Sequence, residues 1–193
     1  PKPLISATIR QASTSSLCSQ PDEKLASRAQ SGQLPAFDEL VRRHWAGINR
    51  FLLGYLPHGS SDDVTQETFL RAYRKIQQYD RNRPFLPWLF TIARRLALNE
   101  IRSNKRKREV SLPDDSAQAT PNTEHATFGP LWKLAKERLT ADAYAALRLH
   151  YAEDLSIEAV AKVLNKGKTA TKVMLHRARR KLATFSEQLK SDL

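Results

Sequence analysis

Two small all-helical domains joined by a polar tether are what this sequence predicts, and three observations carry that reading. Apolar residues recur at intervals of three and four in several segments, the period of a helix with one buried face. Strict apolar/polar alternation, the signature of a half-buried strand, is nowhere persuasive. Residues 111–129, SLPDDSAQATPNTEHATFG, are polar, carry two prolines and have no period, which reads as a linker. A chain of 193 residues accommodates one ordinary domain or two small ones. Halves this small are marginal alone and gain stability from partners.

The elements follow in order. Residues 1–20 are rich in Ser, Thr, Gln and Pro and read as a disordered tail. The first domain spans 21–108. Pro21 to Ser31 predicts a short helix with Leu25 and Ala29 inward, ended by Gly32. A second helix begins near Pro35, where a missing N–H costs little. Its inward face is Phe37, Leu40, Val41, Trp45, Ile48, Phe51, Leu52 and Tyr55. A third starts at Ser61 or Asp62, with Asp63 and Gln66 at capping-box spacing. Val64, Phe69, Leu70, Tyr73 and Ile76 form its expected stripe. Pro84 and Pro87 bracket the start of a fourth, which runs to about Lys107 with Leu89, Ile92, Ala93, Leu96 and Ile101 inward. The linker occupies 109–130. The second domain, 131–187, opens with a helix over Leu131 to Leu139. Thr140 then caps Ala141 to Ala152, Ser156 caps Ile157 to Leu164, and the last helix covers Thr169 to Leu182. Residues 188–193 are a C-terminal tail.

The net charge is +12, and a chain this basic most often meets nucleic acid or an anionic surface. General solubility charge would be spread evenly, whereas here it clusters. From Ala159 to Thr184 there is no acidic residue, and Lys162, Lys166, Lys168, Lys172, Arg177, Arg179, Arg180 and Lys181 are all cationic. Cys18 is the sole cysteine, so no intramolecular disulfide and no cysteine zinc site can form, which fits a reducing cytoplasm. No apolar run approaches the roughly 20 residues of a membrane span, so no membrane insertion is expected. Pro1 to Gln20 lacks the continuous apolar core of a secretory signal.

Ser156 to Lys181 has the logic of a helix-turn-helix. A first helix packs across a second, Ala161 is small enough for close approach, and Asn165 and Gly167 in the turn tolerate positive φ. The second helix presents Lys168, Thr169, Lys172, Val173, His176 and Arg177 on or near one outer face, suited to base edges in a major groove. Arg179, Arg180 and Lys181 suit phosphates, which add affinity without sequence information. The plain alternative is a helical hairpin with a solvated basic face. His176 alone reads as a surface donor rather than a metal ligand.

In the first domain Asp62, Asp63, Gln66 and Glu67 crowd one helix start. Capping and the helix dipole account for Asp62 and Asp63. They do not account for Gln66 and Glu67 followed by cationic Arg71, Arg74 and Lys75. A magnesium site would need converging carboxylates, but adjacent residues on a helix point about 100° apart. No metal or cofactor is expected. Tyr79, Asp80, Arg81, Asn82 and Arg83, with Phe85 and Trp88, mix aromatics with arginines. Aromatics stack on unpaired bases and arginines hold phosphates. For Phe85 and Trp88 core packing competes with that role, and the residues leave both open. Tyr79 and the Asp80 to Arg83 turn are expected to face a separated strand.

DDVTQETFLRAY and RPFLPWLFTIARRLALNEIR resemble region two of bacterial RNA polymerase sigma factors of the small extracytoplasmic-function group. LTADAYAALRLHYAEDLSIEAVAKVLNKGKTATKVMLHRARRKL, from Leu139, resembles their region four. The resemblance implies an alternative sigma factor, not an enzyme, that acts in the cytoplasm on core RNA polymerase and promoter DNA. Asp63, Gln66 and Glu67 match positions that grip the clamp helices of β′. Tyr79 to Arg83 match the loop that captures a flipped minus-ten base, and Arg94, Arg95, Asn99, Arg102 and Lys105 follow along the upstream strand. Region four implies minus-thirty-five recognition by Lys168, Thr169, Lys172, Val173, His176, Arg177, Arg179 and Arg180, and contact with the β flap. An anti-sigma factor is an implied partner. Three departures stand out: Leu164-Asn165-Lys166-Gly167 replaces the usual Leu-Gly-Ile-Ser turn, Thr169-Ala170-Thr171-Lys172 stands where Gly-Thr-Val-Lys is common, and Arg95 replaces a common Asn. The rivals are a stand-alone helix-turn-helix regulator, which would dimerise on paired half-sites, and a nuclease, which would show metal-dependent turnover.

Overall fold

A computed structural model describes residues 17–57, 59–110 and 130–191. Among these residues every regular element is helical. An N-terminal bundle comprises α1 (Asp22–Gln30), α2 (Leu34–Leu52), α3 (Ser60–Arg74), a 3₁₀ turn (Ile76–Gln78) and α4 (Phe85–Val110). A C-terminal bundle comprises α5 (Pro130–Arg138), α6 (Ala141–Leu147), a π-helical turn (Arg148–Ala152), α7 (Ile157–Leu164) and α8 (Lys168–Ser191). Of the tail expected over 1–20, residues 1–16 lie outside the described residues, as does most of the expected linker; Leu17 to Gln20 are held against the bundle, with Leu17 buried and backbone carbonyls bound by Arg43.

Local chemistry sets most boundaries. Gly32 after α1 has φ +83°, the left-handed value that glycine adopts without strain. Pro35 sits in the first turn of α2. The Thr140 side chain accepts from Ala143 N–H and that of Ser156 from Ala159 N–H, so both expected caps form. At α3 the expectation fails. The helix starts at Ser60 after Gly59, and no side chain caps it.

The core of the N-terminal bundle is aromatic and aliphatic. Leu25, Leu40, Ile48, Phe51, Leu52, Phe85, Leu89 and Phe90 are fully buried, and Phe51 meets Phe90 edge-on at 5.0 Å. Four expected inward residues point outward instead: Trp45 is 39% exposed, and Leu70, Tyr73 and Ile101 are each more than two-fifths exposed. In α3 the buried stripe runs through Ser61, Thr65, Thr68, Phe69 and Ala72. The threonines can be buried because Thr65 donates to the Ser61 carbonyl and Thr68 to that of Val64, both at 2.7 Å.

Arg43 ties the start of the bundle together. Its guanidinium donates to the carbonyls of Leu17, Cys18 and Gln20 and to the carboxylates of Asp22 and Glu39, all within 3.0 Å. Glu39 also accepts twice from Arg42 at 2.7 Å. The Arg42 hydrogen bonds lead in holding the Glu39 carboxyl down at about 2; burial opposes them and Arg43 adds to them.

The two bundles pack against each other, so they are not simply tethered beads. α7 lies on α4, the Tyr55 hydroxyl donates to Asp142 at 3.0 Å, and Arg94 approaches the same carboxylate at 3.4 Å. Tyr144, 1% exposed, seats its ring against Gly54, where a Cβ would lie 2.4 Å from Tyr144 Cδ1.

Two outcomes are expected. Glu39→Gln removes the charge on an acceptor of several arginine hydrogen bonds and should cost about 1.5–3 kcal/mol of stability. Because the folded pKa of Glu39 lies below its ordinary 4.5, its contribution is full above that value and fades as pH falls toward 2. Denaturant melts should therefore show a gap between wild type and Glu39→Gln at neutral pH that narrows on acidification; a pH-independent gap would refute the assignment. Gly54→Ala should wedge the bundles apart by overpacking, at a cost of about 1–3 kcal/mol. Small-angle scattering should then give a larger radius of gyration, and an unchanged curve would count against this interface.

Candidate nucleic-acid and protein interfaces

α8 has two unlike sides. Thr171, Leu175, Ala178 and Leu182 face the bundle and are buried. Thr171 can turn inward because its hydroxyl donates to the Gly167 carbonyl at 3.0 Å. The opposite side presents Lys168, Thr169, Lys172, Val173, His176, Arg177, Arg179 and Arg180, all exposed. A helix with this outward row of cations and one apolar residue among them is shaped for a DNA groove. Lys168 is not free, because its ammonium pairs with Glu158 of α7. The turn before α8 is made by Asn165, whose φ is +51°, and Lys166 N–H donates to the Ala161 carbonyl at 2.9 Å. Gly167 does not take positive φ, so the left-handed position falls on Asn165 alone in this turn.

The start of α3 forms an acidic face. Asp63 and Gln66 are exposed, and Glu67 is half-exposed with Arg71 at 3.0 Å. Asp62 accepts from Asn49 of α2 at 2.5 Å. Asp63, Glu67 and Arg71 line one wall of a groove of about 740 Å³ whose other wall, on α4, carries Asn99, Glu100 and Arg106. Among the described residues, no cluster of three or more His, Cys, Asp or Glu side chains could hold a metal. The face offers acceptors for a protein or for cations in solution.

The loop between the 3₁₀ turn and α4 exposes Asp80, Arg81, Asn82 and Arg83. Asp80 shapes it, accepting from Asn82 N–H at 3.0 Å and pairing with Arg83 at 3.1 Å. Tyr79 corrects the sequence expectation. It is 4% exposed, packed edge-on to Phe85 at 5.6 Å and against Trp88 at 5.2 Å, and its hydroxyl donates to the Arg83 carbonyl. Burial pushes its pKa up to about 12. The ring serves as the floor under the loop rather than as a stacking surface. Phe85 is wholly buried, while Trp88 is half-buried.

On α4, Arg95, Asn99, Arg102 and Lys105 line the exposed side, but Arg94 turns toward the C-terminal bundle. There Asp142 collects Tyr55, Arg94 and, at 3.0 Å, Lys166. Burial pushes the Asp142 carboxyl up; hydrogen bonds from Lys166 and Tyr55 and the Arg94 charge outweigh it and hold the group below its ordinary range. Asp142 and Gln30, which binds the loop from α1, carry no sequence signal that marks them, because their partners are distant in the chain.

The family described as Sigma-70 region 2 matches residues 40–107, and that described as Sigma-70, region 4 matches residues 132–182. The ECF RNA polymerase sigma factor SigM of Bacillus subtilis is 32% identical over 154 residues, covering 75% of this chain and 91% of SigM. The ECF RNA polymerase sigma factor BldN of Streptomyces coelicolor is 31% identical over 83% of this chain, and the match spans just under two thirds of BldN, 64%. In three dimensions the sigma factor RpoE of Bartonella quintana, solved with the anti-sigma factor NepR, superposes with a TM-score of 0.64 at 24% identity, covering 81% of this chain and 98% of that one. That likeness is one of fold. With both regions matched in order and SigM covered almost end to end, the chain belongs to the extracytoplasmic-function sigma factors of RNA polymerase.

Proposed function

We infer that the chain is a dissociable initiation subunit that directs core RNA polymerase to promoters. The observation that carries this is the coexistence of two exposed surfaces of opposite character, the acidic start of α3 and the cationic outer row of α8. A stand-alone regulator has use for the second and none for the first.

In this reading Asp63, Gln66 and Glu67 dock on the clamp helices of β′. Arg81, Asn82 and Arg83 hold the strand at a flipped minus-ten base, over the Tyr79 floor, and Arg95, Asn99, Arg102 and Lys105 follow its phosphates upstream. Arg94 joins them once it leaves Asp142. The duplex opens because unstacked bases gain partners, not because a bond is made, so the chain itself catalyses nothing. α8 enters the major groove at minus-thirty-five, with Thr169, Lys172, Val173, His176 and Arg177 at base edges, Lys168 beside them, and Arg179 and Arg180 over phosphates. The C-terminal bundle also touches the β flap. We place the protein in the cytoplasm with its polymerase, and none of the described helices is long and apolar enough to cross a membrane. Since RpoE was solved with an anti-sigma factor, we include a partner of that kind.

Run-off transcription with purified core enzyme tests the reading. Wild type should initiate on promoters recovered by selection. Gln66→Ala/Glu67→Ala should lose core binding by tenfold or more, about 1.4 kcal/mol, while keeping its helical signal. Wild type that grips duplex DNA but never binds core would return the stand-alone regulator. For α8, Lys172→Ala should cost about 1–3 kcal/mol on the preferred minus-thirty-five duplex and relax base preference there. Arg179→Ala/Arg180→Ala should weaken all sequences alike and flatten the salt dependence by about one unit of log–log slope for each phosphate left unneutralised. Equal effects of the two variants on sequence preference would refute the division of roles.

A further inference from the structure

We propose that Gln30, at the end of α1, is the positioning residue of the strand-capture loop, fixing Arg81 so that its outer nitrogens face the minus-ten strand. The proposal rests on the sigma-factor reading above. Gln30 lies about fifty residues from the loop in sequence, yet its amide binds the loop at both of its polar atoms. Nε2 donates to the carbonyl of Ile76 at 2.7 Å and to that of Tyr79 at 2.8 Å. Those carbonyls stand at the start of the 3₁₀ turn and just beyond its end, on the two sides of the hinge from α3 into the loop. Oε1 accepts from Arg81 Nε. The Gln30 backbone carbonyl in turn accepts from Gln77 Nε2 at 2.7 Å.

The chemistry selects this side chain. The site needs a double donor toward two carbonyls and an acceptor toward a guanidinium, at one reach. A glutamine amide supplies both; glutamate lacks the donors, and lysine lacks the acceptor. Using Nε of Arg81 on Gln30 leaves both terminal nitrogens of an exposed guanidinium for a phosphate or a base edge. An arginine held at Nε also gives up less rotamer freedom on binding than one that swings freely. Tyr79 reinforces the same geometry from below, through its hydroxyl on the Arg83 carbonyl.

The test is a double-mutant cycle on the full chain bound to core polymerase, with a fluorescent single-stranded minus-ten oligonucleotide as probe. Gln30→Met keeps the side-chain length and removes every polar interaction of the amide. It should weaken strand binding about tenfold, the scale of one charge-assisted hydrogen bond. Core binding should not change. In an Arg81→Ala background the same substitution should cost little, because it acts through Arg81. Gln30→Glu keeps the acceptor but places a carboxylate against two carbonyls, so it should fall with Gln30→Met rather than rescue. Unchanged strand affinity in Gln30→Met, or an equal loss with and without Arg81, would overturn the proposal. Should Gln30→Met unfold, the same cycle is run with Gln30→Lys, which retains donors to the carbonyls. Wild type that binds core but not the strand, or neither, would sink the sigma-factor reading itself; a failure confined to the Gln30 variants would sink this proposal alone.

Discussion

Much of the arrangement depends on the close approach of Tyr144 to Gly54. Where α2 ends, a residue with no side chain lets an aromatic ring from the other bundle lie against backbone. Any Cβ there would collide with the ring, so the packing of the two bundles tolerates glycine and little else. Once Tyr144 is seated, its hydroxyl reaches the Arg50 carbonyl, and Asp142, two residues earlier, comes within reach of Tyr55 and Arg94. The glycine at 47 works similarly on α2, where a Cβ would stand 3.0 Å from the Glu153 carboxylate. Glu153 in turn faces the buried guanidinium of Arg148 at 3.6 Å, which stacks on Trp132. Two steric allowances, at Gly54 and Gly47, thus bring a chain of charged groups into register across the interface.

Within the N-terminal bundle, the core reaches up to support the exposed polar loop. Tyr79, Phe85 and Trp88 form a continuous aromatic cluster beneath the Asp80 to Arg83 loop. The loop can remain exposed and polar because its floor is rigid and its ends are tied to α1. Phe85 N–H reaches Glu23 at 3.3 Å, and Gln30 holds the other end. α1 therefore acts as a splint for a loop that follows it by half a bundle. A division of faces appears in α3. Its inner stripe is filled by threonines that satisfy their hydroxyls on their own helix, which leaves Leu70 and Tyr73 to face outward beside Gln66 and Glu67.

Periodicity and punctuation made most of the fold legible. Thr140 and Ser156 cap as read, Gly32 and Pro35 delimit their helices, and the outward row of α8 is the one its spacing describes. What escaped had a physical cause each time. The apolar residues of α3 suggested a stripe that buried threonines in fact occupy, since hydropathy alone cannot see an intrahelical hydroxyl bond. Tyr79 looked like a stacking ring because an aromatic beside arginines suits a nucleic acid equally well. Asn165 and Gly167 both tolerate positive φ, and residue type does not say which takes it. The interface at Gly54, the Asp142 cluster and the Gln30 hydrogen bonds depend on residues tens of positions apart, which no local pattern encodes.

The arrangement also bears on how the cationic surfaces of the two bundles become available. The outer row of α8 is exposed as the bundles stand, while Arg94 is held at Asp142 with a side chain 15% exposed. If Arg94 is to meet the upstream strand, that pair must open. Full separation of the bundles would replace more: two hydrogen bonds to a carboxylate that Lys166 still satisfies, the burial of Tyr144 and its bond to the Arg50 carbonyl, the close approach of Glu153 to Gly47 and the packing of α7 on α4. Burying one aromatic side chain alone is worth about 1.5–3 kcal/mol, and Arg94 and Asp142, 15% and 28% exposed, are too buried to count as a surface ion pair. A partner that binds with nanomolar affinity has roughly 12 kcal/mol to distribute. Separation of the bundles would therefore take a sizeable share of what such a partner supplies, whereas release of Arg94 alone takes a smaller one.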